Sequence, residues 1–358
     1  MCAPAKSPYA EWDHRDSALN RLAGVYAPED PLCSRSEWIF SFHEAFQPAR
    51  QIWIRSTPRS ILTLASWVHP EHGSILEPLE SHWFFSNPLL GSDSIDLLRS
   101  LLADNPQGIG DSIVVLSGLV MGSPLLAAVI RAFDRSHAIQ HMRSTVFRSA
   151  SLANGPDGFL SRRSSKFRHN LRRAERLARE GAVTFERVQP LTQQCAGDAY
   201  ARMLEVERQS WKGLDHCGMG EPPSREFYGL MFQRLATGGL ARAIFAVHEG
   251  RDIGFVMGGT DGHHYRGQQF SFAADWQKES IGNLLQWEQI RWLCEEHVTR
   301  YDMGSALEYK LRWTEIALQT ESIILRPRIR RPRTPVQPTV AAPDKTGEEG
   351  DSGAHLRR

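Results

Sequence analysis

Apolar and polar positions fall into two strings of elements with the same order. In the second string Phe167, Leu171, Ala174 and Ala178 recur at helical spacing, and the pattern predicts a helix over 164–179 that Gly181 stops. A strand over 183–188 and helices over 195–209 and 224–235 come next. Strands over 242–248 and 253–260 flank the turn Glu249-Gly250-Arg251-Asp252, as in a hairpin, and a third strand covers 265–274. A helix over 280–297, a strand over 300–303, a short helix over 307–314 and a strand over 320–325 complete it. The first string is fainter. It reads helix 38–46, strands 51–56, 61–68 and 74–79, helix 93–103, strand 112–116, helix 124–133 and strand 139–147. Two degenerate copies of one unit predict an α/β protein with a mixed (α+β) sheet.

The ends lack such patterning. Residues 1–35 are polar and broken by prolines, which predicts a flexible leader, and 331–358 carry Pro332, Pro335, Pro338 and Pro343 before a Gly/Glu-rich stretch, which predicts a disordered tail. Between them the reading places one domain over 36–158 and a second over 159–330. A net charge of +1 excludes a general polyanion binder, so any strong electrostatic function is local. The 5 cysteines are scattered and never form Cys-x-x-Cys, which argues against a disulfide framework or a zinc ribbon. With no secretory leader pattern and no long apolar run, the expected location is a reducing cytoplasm, with no membrane span.

Three clusters carry candidate chemistry. The turn Gln277-Lys278-Glu279-Ser280-Ile281-Gly282-Asn283 feeds the helix at 280, where free backbone N–H groups can hold a phosphate. The strand end Tyr301-Asp302-Met303-Gly304 is followed by Glu308-Tyr309-Lys310. Glu207 shares a helical face with Tyr200, Met203 and Leu204 and precedes Ser210-Trp211-Lys212-Gly213. A carboxylate on an apolar stripe is paired, hydrogen-bonded or functional. The run 162–179 holds 8 basic residues, including Arg168 and Arg173, against the single acid Glu175, so it is amphipathic with a cationic outer side. His263-His264 and His216-Cys217 lie in turns with nothing to orient them, and no metal site is expected.

These clusters resemble the GNAT superfamily of acyltransferases, and in particular its CelD-like and FemAB-like branch. The match runs from about 36 to 330 and is strongest over 161–313. It implies two tandem GNAT-like domains, the N-terminal one degenerate. The GNAT pattern Arg/Gln-x-x-Gly-x-Gly/Ala is met at Gln277 and Gly282 but has Ser280 in place of the middle glycine. The resemblance makes Gln277, Lys278, Ser280, Ile281, Gly282 and Asn283 the binding set for the pyrophosphate of acyl-CoA, with acetyl-CoA the first expectation. Asp302, Tyr309 and Lys310 then form the catalytic cluster. Tyr309 would protonate the departing thiolate, and Lys310 would stabilise the oxyanion or hold an anion. Glu207 is the candidate base for the incoming amine. Arg168, Asn170, Trp211 and Lys212 are expected to face the substrate. The implied reaction is direct transfer to an amine acceptor, either a small molecule or a cell-envelope or polysaccharide amine. The alternatives are aminoacyl transfer from aminoacyl-tRNA, which the basic helix favours, and a catalytically inactive binding module.

Overall fold

The computed structural model describes residues 9–328, and those up to Pro327 form one compact unit. The expected tail over 331–358 lies outside the described residues. In chain order the elements are α1 (Ala18–Tyr26), α2 (Ser36–Phe46), β1 (Gln51–Thr57), β2 (Ser60–His69), β3 (Gly73–Pro78) and β4 (Leu89–Gly91). Then come α3 (Ser94–Asp104), β5 (Ile113–Val120), α4 (Pro124–Phe133), β6 (His137–Ser151), α5 (Gly155–Ser161), α6 (Ser165–Glu180) and β7 (Thr184–Val188). The chain continues through α7 (Gln193–Gln209), α8 (Trp211–Leu214), α9 (Ser224–Thr237), β8 (Ala241–His248), β9 (Arg251–Asp261) and β10 (His264–Phe272). It ends with α10 (Ile281–Glu295), β11 (Arg300–Ser305) and β12 (Ile316–Pro327). The mixed α/β expectation and the two-string order hold.

All 12 strands of the described residues join one sheet, in the order β1-β2-β3-β5-β12-β6-β11-β10-β9-β8-β7, with β4 beside β2. The order carries an internal symmetry. In the first half β1, β2 and β3 are antiparallel neighbours and β3 runs parallel to β5. In the second half β8, β9 and β10 repeat this, and β10 runs parallel to β11. The halves exchange their last strands. β12 pairs with β5 of the first half, β6 pairs with β11 of the second, and the two exchanged strands pair with each other in the middle. The two sequence halves therefore share one continuous sheet.

Residues 9–35 correct the expectation of a flexible leader. α1 is capped by Ser17, and Tyr9, Leu19, Ala23, Leu32 and Cys33 are buried in a cluster with α2, α7 and α9. Their apolar side chains are too few and too widely spaced to read as an element, yet each finds a place against the helices of both halves.

Each half has one place where its parallel strands part. β3 and β5 pair only at Ile75↔Ile113 and Leu76↔Val114. Beyond that point the chain packs against β5: the Ser117 hydroxyl donates to the Ser86 carbonyl, and Gly118, at φ +62, comes so close that a Cβ would stand 2.7 Å from the Ser86 backbone. Buried Glu80 accepts the amide N–H groups of His82, Trp83, Phe84 and Phe85, and so shapes this loop. In the second half β10 and β11 pair only at His264↔Arg300, Tyr265↔Tyr301 and Arg266↔Asp302. The strands then diverge and leave the gap that holds the candidate site.

Candidate functional site

β10 loses register with β9 between Gly267 and Gln269, so Gln268 is a bulge residue. Bulges re-aim a strand, and here β10 leaves β11 just beyond that point. The gap opens into a cavity of about 420 Å³. Phe270, Ser271 and Phe272 of β10, Met303, Gly304 and Ser305 of β11, and Tyr309 and Lys310 of the following 3-10 turn line one part of it. Trp38, Trp83 and Phe85 come from the first half, and Trp211 and Lys212 from α8. The loop that Glu80 shapes thus delivers aromatic rings across the half boundary.

Lys212 is held at three points. Its Nζ donates to the Phe270 carbonyl at 3.0 Å and to Gln269 Oε1 at 3.4 Å, and stands 3.5 Å from Glu207 Oε1. Burial pushes its amine below the usual lysine range, against the charge of Glu207, which raises it. Glu207 itself is 1% exposed and is not among the residues lining this cavity. Its carboxylate accepts the Met219 amide at 3.0 Å, and Ser210 Oγ lies 3.4 Å away. Glu207, expected to act as the base, therefore stands behind Lys212 and does not front this cavity.

Tyr309 packs its ring against Phe270, with centroids 5.8 Å apart, and burial raises its phenol to about 12. Lys310 is 8% exposed and donates to the Ser305 carbonyl at 2.8 Å. Its amine is lowered to about 8, mainly by burial and further by the Arg266 charge, while Asp302 opposes the shift. Asp302 does not line the cavity. Its Oδ1 accepts Arg266 Nη1 at 2.8 Å and the Gly304 amide at 2.6 Å. Arg266 also faces Asp30, with Nε 3.5 Å from Oδ2, and lies over the rings of Phe85 and Phe147. Asp302 thus holds Arg266 and the β11 end in place and does not front the cavity. The sequence reading missed Arg266, Tyr228, Gln269 and the first-half aromatics, because nothing in strand periodicity tells which distant ring reaches which cavity.

The turn expected to hold phosphate is built as a 3-10 turn, Ala274–Glu279, that runs into α10. Ser280 sits between them at φ +62, the left-handed conformation for which a glycine is the unstrained choice. Gly282 is required by contact: a Cβ there would meet the Phe272 ring at 2.9 Å. Gln277, Lys278 and Glu279 are exposed, whereas Ile281 and Gly282 are buried under the turn. A second cavity of about 580 Å³ joins Lys278, Ser280 and Asn283 to Asn170, Lys166 and Arg173 of α6 and to Arg312. Gln277, Ile281 and Gly282 do not line it. Arg168, expected to face the site, instead donates to the carbonyls of Leu160 in α5 and of Arg163 just after it. The structure thus gathers Asn170 with part of the turn in one cavity, and Trp211, Lys212, Tyr309 and Lys310 in the other. Among the described residues no group of three or more His, Cys, Asp or Glu could hold a metal ion, and no helix is long and apolar enough to cross a membrane.

Residues 165–311 match the family model of the acetyltransferase (GNAT) domain, so this segment is an acyltransferase domain of the GNAT type. No curated protein sequence matches the chain. Among solved structures, FemX is similar at 9% identity with a TM-score of 0.59, over 85% of this chain and 94% of that one. A conserved protein of unknown function from Bacteroides thetaiotaomicron is similar at 12% identity and a TM-score of 0.55, over 88% and 93% of the two chains. The C-terminal domain of a putative lysylphosphatidylglycerol synthetase from Agrobacterium fabrum is similar at 12% identity and a TM-score of 0.52, over 86% and 90%. These likenesses extend the shared fold across both halves.

Proposed function

We propose that the protein transfers an acyl group from acyl-CoA, acetyl-CoA first, to an amine acceptor in the gap between β10 and β11. The observation that carries this reading is the gap itself: a parallel pair that parts after three residues, above a turn whose helix start faces a cationic cavity. The open edge of β10 offers backbone groups to the amides of the pantetheine arm, as strand edges do for extended ligands. The pyrophosphate sits at the start of α10 near Ser280 and Asn283, with Lys278, Lys166, Arg173 and Arg312 around it.

In the reaction the amine nitrogen attacks the thioester carbonyl carbon, the C–S bond breaks, and its electron pair stays on sulfur. Tyr309 donates a hydrogen bond to that sulfur as charge gathers there. A phenol raised to about 12 holds its proton firmly, so its main contribution is this hydrogen bond and not complete proton transfer. The amine's proton passes to the neutral form of Lys212 and then to solvent. Glu207 positions Lys212 from behind. Asp302 acts through Arg266 and the Gly304 amide on the shape of the β11 end.

The second reading, aminoacyl-tRNA as donor, is favoured by the exposed cations of α6, which adjoin the second cavity through Lys166 and Arg173. A cell-envelope acceptor fits either donor. The test is thiol release from acetyl-CoA in the presence of a pool of amines, run beside absorbance and sequencing of any co-purified RNA. Amine-dependent thiol release supports the first reading. Its absence together with stoichiometric tRNA would replace it with the second.

A further inference from the structure

The lining of the cavity between β10 and β11 is one-sided in charge. Three cationic side chains front it, Lys212, Arg266 and Lys310, and no Asp or Glu does. A simple protonated amine would enter with no counter-charge to meet it. Two of the cations are already answered from behind the wall. Glu207 stands 3.5 Å from Lys212, and Asp30 and Asp302 flank Arg266 at 3.5 and 2.8 Å. Lys310 differs. Among the described residues no carboxylate oxygen lies within ion-pairing distance of its Nζ, and its one hydrogen bond goes to the Ser305 carbonyl. The acid whose charge acts on it, Asp302, is committed to Arg266 and the Gly304 amide. Besides that carbonyl, Nζ has only the Tyr309 ring, whose centroid is 5.7 Å away; a buried ammonium so weakly answered is costly, and an incoming anion would offset that cost.

Further polar groups wait at the same wall. Ser271 is 3% exposed and its Oγ has no hydrogen-bond partner; neither does Gln268 Nε2, and both residues line the cavity. Buried polar atoms left open in this way suit a ligand that carries its own acceptors. Aromatic rings complete the lining: Trp38, Trp83, Phe85 and Tyr228. Trp211 stands 56% exposed at the α8 side, where an entering ring could pass over it.

We propose that the acceptor is a ring-bearing amine that also carries a carboxylate, held by Lys310, with Ser271 and Gln268 as further hydrogen-bond partners and its ring against the first-half aromatic wall. One unanswered ammonium matches the single charge of a carboxylate better than the double charge of a phosphate. The carboxylate also cancels the repulsion that a bare ammonium would meet from Lys212 and Lys310. This inference rests on the acyl-transfer reading only for the word acceptor; the binding claim stands without a donor.

The experiment compares matched pairs, phenylalanine with phenethylamine and 4-aminobenzoate with aniline. Each is measured by calorimetry on the full chain without donor, and then by thiol release from acetyl-CoA. The carboxylate member of each pair is expected to bind about 10-fold or more tightly. In Lys310→Met that preference should fall to within about twofold, and Lys310→Arg should restore part of it. Equal affinity within both pairs on the unmodified protein overturns the proposal without recourse to any variant, as does a preference that Lys310→Met leaves intact. Tight, Lys310-dependent binding with no thiol release sustains the carboxylate site and defeats the acetyl-CoA reading instead.

Discussion

Tyr309 and Lys212 stand on either side of Phe270, one touching its ring and the other its carbonyl. Replacing Tyr309 by Phe keeps the ring and removes only the hydroxyl. Turnover should fall about 10²-fold or more, since one donor aimed at developing charge is worth that much, while CoA affinity stays the same. An unchanged kcat would make Tyr309 a packing residue. Glu207→Gln tests the pair behind. The charge of Glu207 raises the Lys212 amine against the downward pull of burial. Without that charge Lys212 loses its proton at lower pH. If neutral Lys212 is the base, the rising limb of the pH–rate profile moves to lower pH in the variant. A limb that stays in place removes Lys212 from proton transfer, and a loss of activity that is uniform across pH points to Glu207 itself. The sequence exposed Glu207 as a carboxylate on an apolar stripe, and burial agrees. Its distance from the cavity was not legible, because periodicity reports which face a residue shares and not what stands in front of it.

At the scale of elements, the periodic segments of the sequence agree with the structure to within a few residues for α2, β1, β2, α4, α6 and α9, where one amphipathic face is unbroken. α1, β4, α5 and α8 escaped the reading, being short or broken by Gly and Pro. The turn before α10 carries a strained residue. Ser280 takes the left-handed conformation that a glycine would adopt freely. Ser280→Gly should therefore stabilise the fold, by about 0.5–1 kcal/mol, with little loss of CoA binding if the backbone amides do the holding. A lower thermal midpoint in the variant would mean that the serine hydroxyl makes a contact worth more than the strain. A normal midpoint with weakened CoA binding would assign that hydroxyl to the phosphate.

Across the whole molecule, the exchange of β6 and β12 is the feature that ties the halves together. No local pattern could announce it, since both strands read as ordinary terminal strands of their own half. It changes what a domain boundary near 158 means. A fragment of 159–358 would carry β11 and β12 without β6 between them, and would lose Trp38, Trp83 and Phe85 from the cavity. Such a fragment should be insoluble or aggregated alone, through its unpaired strand edges, and should recover solubility when 1–158 is co-expressed. A fragment that is soluble, cooperative in melting and active alone would show that the first half is an independent appendage.

The central claim is that acyl-CoA occupies the gap between β10 and β11. Hydrogen–deuterium exchange with and without CoA tests it directly. The account predicts slowed exchange in two places, residues 267–272 of the open β10 edge and residues 280–283 at the start of α10, with no comparable change along β3 and β5 where the first half parts its own strands. Binding of CoA with protection confined to the first half, or with none at β10 and the α10 start, would contradict it.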